Sequence, residues 1–182
     1  AISGKARARQ LLRRMRAIVE EEEEKEEKED DGEKPEKSPF WAHSTVCQVP
    51  QHAFAKQYAD GLEKVLADPG VSDEMVLQMS QDYVRGIVAH EVGHVLGLRH
   101  NFAGSLDSTV SHARLDKWLK AYLNEEDLAE FENDYTSNSM MEYQVFPAMA
   151  LTGSKMRTTD TVLPHDRGAI QWGYYDDPDV AE

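Results

Sequence analysis

Cysteine is almost missing. Cys47 is the only one in 182 residues, so no disulfide can form within the chain and any core must be held by packing. A lone thiol reads first as a small buried apolar residue and only second as a reactive or metal-capping group. Long apolar runs are missing as well: none approaches the roughly 18 residues of a membrane span, and no signal-peptide pattern opens the chain. Basic charge is in deficit, with a formal net charge of −14. Residues 38–182 alone hold 10 Lys and Arg against 22 Asp and Glu, a balance of −12, whereas residues 1–37 hold 10 against 12. Phosphate binding needs a basic surface, so nucleic acid is excluded as a partner. The acidity could favour basic or neutral peptides, or bind calcium. Simple solubility is the plainer reading, and no motif supports a structural Ca²⁺.

What is present suffices for a core. Hydrophobic residues make up 40% of the chain, enough for one domain, or one domain with an appended arm. The opening Ala1-Ile2-Ser3-Gly4 reads as the middle of a longer protein. Leu11, Leu12, Met15, Ile18 and Val19 recur at helical spacing with arginines between them, which predicts an amphipathic helix over 5–19. The charged run from Glu20 to Asp31 either prolongs that helix in solvent or frays. Gly32, Pro35 and Pro39 break it, so residues 1–39 are taken as a helix plus an acidic linker or insertion. Strand-like sequence is scarce: only 40–49 qualifies, and Pro50 stops it. A helix over 51–67 follows, and then Asp68-Pro69-Gly70 as a turn. Ser72 caps a helix expected over 73–96, with Asp73 and Glu74 facing the positive end of its dipole. Val76, Met79, Tyr83, Ile87, Val88 and Val95 are its expected buried residues. Further short helices are expected at 112–123, 125–132 and 165–172, with Trp172 and Tyr174 in the core. No internal repeat is present.

Chemistry is concentrated in one stretch, His90-Glu91-Val92-Gly93-His94-Val95-Leu96-Gly97-Leu98-Arg99-His100. Histidines at i and i+4 lie one turn apart, so their imidazoles can converge on one ion from the same helix face. Glu91 stands beside that face, where a carboxylate can act as a general base without ligating the metal. A helix continuing past His94 would carry the chain away. Gly97 accepts the left-handed conformation that ends a helix, which lets His100 return as a third ligand. Three histidines leave a position open for water, the mark of a catalytic Zn²⁺ site and not of a closed structural one. Gly93 inside the helix costs about 1 kcal/mol against alanine and implies that another backbone comes close. His43, His52, His112 and His165 lack ligand spacing and read as surface or structural histidines.

The pattern His-Glu-x-x-His-x-x-Gly-x-x-His resembles that of the metzincin metallopeptidases, whose second hallmark is a methionine turn beneath the metal. Ser139-Met140-Met141-Glu142-Tyr143 is similar to that turn. In this alignment Met141 is the turn methionine, with Met140 the choice if the register is off by one. Tyr143 takes the place of a tyrosine that in such enzymes ligates zinc or steadies the oxyanion. Asn101 follows the third histidine, where the commonest groups have Glu, Pro, Asp or Ser. The run Gly97 to Phe102 and the run Gly168-Ala169-Ile170-Gln171-Trp172-Gly173-Tyr174 are more similar to a family of bacterial zinc-dependent metalloproteases of the Met-zincin type. The resemblance spans about residues 80–175, and no motif before residue 70 supports it.

The resemblance implies an α+β fold, mostly helical in this chain, with an active-site helix, a Met-turn and a C-terminal helix. Metzincins carry a twisted sheet before the active-site helix, whose edge strand takes up extended substrate. One credible strand here means a reduced or truncated upper sheet. Residues 40–182 are then the catalytic domain, or a fragment of a longer protein, and the family places it in the periplasm, at the cell surface or outside the cell. The expected function is a zinc endopeptidase acting on peptides or proteins. His90, His94 and His100 hold one Zn²⁺, Glu91 is the general base and Tyr143 an oxyanion donor. The alternative is a zinc-binding module without proteolytic activity, a pseudoenzyme segment of a larger protein.

Overall fold

A computed structural model describes residues 3–29, 51–159 and 162–174. The chain divides into two compact units, Ala1–Ala67 and Asp68–Glu182. The expected boundary near residue 39 falls outside the described residues, as do the strand candidate 40–49, His43 and Cys47.

The described residues of the first unit form two helices, α1 (Gly4–Glu29) and α2 (Gln51–Ala67). Leu12 and Val19, two turns apart on α1, are buried, as are Tyr58, Ala59, Leu62, Val65 and Leu66 on α2. The apolar stripe of α1 is narrower than its periodicity predicts, because Leu11 and Ile18 are exposed. The acidic run prolongs the helix as far as Glu29, the first of the two alternatives expected for it. Glutamate and lysine are good helix formers, and propagation costs little once α1 is nucleated. Arg16 pairs with Glu63 across the two helices.

The regular elements among the described residues of the second unit are helices joined by loops: α3 (Asp73–Val95), α4 (His112–Leu123), α5 (Phe146–Thr158) and α6 (Pro164–Tyr174), with short 3₁₀ turns at Gly104–Asp107 and Ala129–Phe131. The helix expected over 125–132 is reduced to the second of these turns. Ser72 caps α3, its hydroxyl accepting the Met75 N–H at 3.0 Å. The buried face of α3 runs through Met75, Val76, Met79, Asp82, Tyr83, Gly86, His90 and Gly93. Val88 and Val95, expected inside, are instead exposed, and Ile87 is half-buried.

Helix α5, which the hydropathy pattern does not announce, packs along this face. Phe146 and every residue from Ala148 to Ser154 are buried, so its sequence shows no polar stripe for a periodicity to detect. The two helices meet at glycines. A Cβ on Gly153 would fall on the Asp82 carbonyl, and one on Gly86 would lie 2.5 Å from the Met149 sulfur. Next to this contact the fully buried Asp82 carboxylate accepts hydrogen bonds from Tyr122 Oη at 2.9 Å and Arg157 Nε at 3.2 Å, and pairs with Arg85. Burial and the Asp82 charge push the Tyr122 phenol far above its ordinary range. Trp118 on α4 stacks on Phe131 at 5.7 Å. Trp172 and Tyr174 on α6, expected in the core, are 83% and 63% exposed; they sit on a short terminal helix whose buried residue is Asp166.

Two glycine substitutions should move stability in opposite directions. Gly153→Ala drives a methyl group into the backbone of α3 and should destabilise by about 3 kcal/mol, overriding the helix preference for alanine. Gly168→Ala on α6 meets nothing within 4 Å and should stabilise by up to about 1 kcal/mol. Chemical denaturation of both variants checks the pair; equal effects of either sign would contradict the close approach.

Candidate metal centre

Helix α3 delivers His90 and His94 one turn apart near its C-terminus and then stops in a defined way. Leu96 is the C-cap and Gly97 follows at φ +83°. The Gly97 N–H donates to the His94 carbonyl at 2.9 Å, and the Leu98 N–H donates to the Gly93 carbonyl at 3.0 Å. This pair of bonds is a Schellman turn, which requires the left-handed residue that glycine supplies without strain. The turn brings the Leu98 carbonyl to 3.1 Å from His94 Nδ1 and swings His100 back toward α3.

The three imidazoles meet. Ring centroids are 4.9 Å apart for His90 and His94, 4.7 Å for His94 and His100, and 5.3 Å for His90 and His100. One ligand nitrogen from each lies within 4.8 Å of the others. His94 Nε2 and His100 Nε2 are 3.1 Å apart, and the Tyr143 hydroxyl is 2.9 Å from His100 Nε2. His90 is buried, and the other two histidines and Tyr143 are half-buried.

Backbone carbonyls set two of the tautomers. His90 Nδ1 lies 2.8 Å from the Met140 carbonyl and His94 Nδ1 lies 3.1 Å from the Leu98 carbonyl. A carbonyl oxygen can only accept, so each Nδ1 carries the proton and each Nε2 presents a lone pair toward the cluster. That is the arrangement metal-ligating histidines adopt. His90 Nε2 is buried with no hydrogen-bond partner, an arrangement that is costly unless something electrophilic takes the lone pair. Neutral imidazoles in a group of three with an open side suit Zn²⁺, and the residues present fit the ion.

The floor of the site is the segment 139–143. Met141 is fully buried, and its sulfur occupies the space that a Cβ on Gly93 would need. The neighbour that makes residue 93 glycine is therefore this side chain and not the second backbone expected from sequence. Met140 contributes its carbonyl to His90. Asn101, after the third histidine, donates its N–H to the Met141 carbonyl at 3.1 Å, tying the ligand loop to the floor. Glu91 is exposed beside His90 on α3; its charge acts on both His90 and His100. His112 and His165 stand exposed at the starts of α4 and α6.

Two contributors gave no signal in the sequence. Asp166, 3% exposed, accepts the Ser139 hydroxyl and the Met140 N–H, both at 2.6 Å. Tyr174 donates its hydroxyl to the Leu96 carbonyl at 2.9 Å, at the end of α3. A single aspartate in the first turn of a helix reads as a dipole partner, and nothing in its spacing links it to residues 26 and 27 positions earlier.

Burial pushes the His90 ring below its ordinary value of 6.5, reinforced by the His94 charge; burial, with the His90 and His94 charges, does the same at His100. A histidine whose folded pKa lies below its unfolded value contributes nothing to stability at high pH. As pH falls below about 6.5 the unfolded chain takes up the proton first, so folding weakens until the folded ring also protonates. Thermal melts of the metal-free protein from pH 7.5 to 5 should show a loss of Tm on acidification that is shallower in His100→Ala. Parallel profiles for the two proteins would contradict the shift.

Comparison with known proteins agrees with this geometry. A family profile described as Met-zincin matches residues 72–182. No curated protein and no solved structure matches the chain. The matched segment starts at Ser72, the N-cap of the helix that carries His90 and His94, and covers the ligand loop, the methionine turn and α6: the chain belongs to the Met-zincin family.

Proposed function

We propose that the chain is a zinc-dependent endopeptidase. The observation that carries this reading is the convergence of His90, His94 and His100 with one buried Nε2 unpartnered and the Tyr143 hydroxyl at the edge of the cluster. The three histidines would hold the ion, which supplies Lewis acidity that polarises a carbonyl and makes water a nucleophile near neutral pH. Glu91 takes a proton from the attacking water as its oxygen bonds to the carbonyl carbon, and returns it to the amine as the C–N bond breaks. Tyr143 donates its hydroxyl hydrogen bond to the developing oxyanion. A largely apolar cavity of about 300 Å³ beside Tyr143, walled by Val110, Leu115, Val145 and Ala148, offers room for a substrate side chain.

A second reading is a zinc-binding module without proteolytic activity. It is favoured by one observation: among the described residues there is no strand on which an extended substrate could pair.

Cleavage of an unfolded protein mixture by the zinc-loaded chain, read by mass spectrometry, separates the two. Glu91→Ala should keep one zinc per chain and lose turnover, and cuts that persist in this variant would refute the assignment of the base. His100→Ala should lose most of its zinc affinity, measured as metal content after dialysis. Tyr143→Phe should retain zinc and lower kcat by about 10²-fold. Bound zinc with no cuts by the unsubstituted protein would favour the second reading.

A further inference from the structure

We propose that Asp166 is a positioning residue for the metal centre, acting on His90 through the peptide groups of residue Met140. The inference rests on the metal-binding reading above. Asp166 lies in the first turn of α6, 76 positions beyond His90 in the sequence. Its two carboxylate oxygens are both engaged: Oδ1 accepts the Ser139 hydroxyl and Oδ2 accepts the Met140 N–H, each at 2.6 Å. Met140 in turn offers its carbonyl to His90 Nδ1 at 2.8 Å. One residue is thus held at its N–H by a buried carboxylate while its C=O orients a ligand.

Hydrogen bonds to a carboxylate are shorter and about twice as strong as those between neutral groups. Asp166 therefore anchors this backbone more firmly than a turn alone would. The Ser139 hydroxyl that it accepts from also accepts the Met141 N–H at 3.1 Å, so one side chain braces residues 139, 140 and 141 together. The consequence for His90 is specific. The Met140 carbonyl keeps the proton on Nδ1 and the lone pair on Nε2, the buried atom without a partner. If the Met140 carbonyl drifts, the ring is no longer confined to the tautomer that binds metal, and the loss appears as weaker metal affinity and not only as lower stability.

The plainer alternative is that Asp166 merely caps α6 and ties down a loop. Zinc affinity by competition with a chromophoric chelator and the absorption spectrum of the Co²⁺-substituted protein distinguish the two roles. In the zinc-free protein, the ¹⁵N shifts of the His90 ring report its tautomer. Asp166→Ala should lower zinc affinity about 10–100-fold, alter the Co²⁺ bands and release His90 from the Nδ1–H form. Asp166→Asn keeps one acceptor and should fall between this variant and the unsubstituted protein. Ser139→Ala, which spares the hydrogen bond from the Met140 N–H to Asp166, should lose least. A folded Asp166→Ala with unchanged affinity, Co²⁺ spectrum and tautomer overturns the proposal, even if its Tm has dropped. Should Asp166→Ala fail to fold, Asp166→Asn decides on the same readouts. If the unsubstituted protein takes up no zinc, the metal-binding reading fails, and the His90 tautomer alone then judges the relay.

Discussion

Asp82, Gly86, His90 and Gly93 form one buried stripe on helix α3, and the depth at which that stripe is held sets everything at the centre. Gly153 of α5 lies against the Asp82 backbone, Met149 fills the space over Gly86, and Met141 fills the space over Gly93. Small residues on either side of His90 let the helix sink far enough for the ring to reach the Met140 carbonyl. A Cβ at 86 or 93 would have to displace the Met149 or Met141 side chain packed beside His90, and close-packed interiors feel such changes. Packing and ligand geometry are therefore a single constraint.

The same depth leaves few buried polar atoms without a partner, His90 Nε2 among them. Buried polar groups around the centre are paired: Asp82 with Tyr122 and two arginines, Asp166 with Ser139 and Met140, and the Glu142 carboxylate with the Ser105 hydroxyl at 2.7 Å. His90 Nε2 is without a partner, as are Glu142 Oε2 and Gln144 Nε2, and burial lowers the affinity of the His90 ring for a proton. A site that disfavours the proton while keeping the lone pair is suited to a cation that brings its own charge and accepts several nitrogens at once.

The histidine cluster was legible because it is written into short spacings. The i, i+4 pair, the left-handed glycine and the third histidine all lie within eleven residues, and the structure brings the three rings together with Gly97 at positive φ. Long-range support was not legible. Helix α5 is buried on all sides over most of its length and so shows no clear periodicity, although it makes the main contact with α3. Asp166 is recognisable only once α6 has folded back onto the methionine turn. The exposure of Trp172, Tyr174, Val88 and Val95 reverses expectations drawn from hydrophobicity alone. Apolar type says that burial is favourable and says nothing of whether the fold has a surface to offer at that angle.

Helical angle also explains the division of tasks among neighbouring residues. With about 100° per residue and Gly86 taken as the centre of the buried face, His90 lies about 40° off that centre, His94 about 80° and Glu91 about 140°. The observed order follows: His90 buried, His94 half-buried, Glu91 exposed. His90 is placed where packing and a backbone carbonyl fix it. His94 sits at the rim, and the Glu91 carboxylate stands next to His90 in sequence but outside the packed face. Moving the carboxylate to position 90 or the ligand to position 91 would put an acceptor-only group in the core, with the Met140 carbonyl as its neighbour, and a histidine in solvent. The order His-Glu, and not Glu-His, is thus what this helix can carry at this depth.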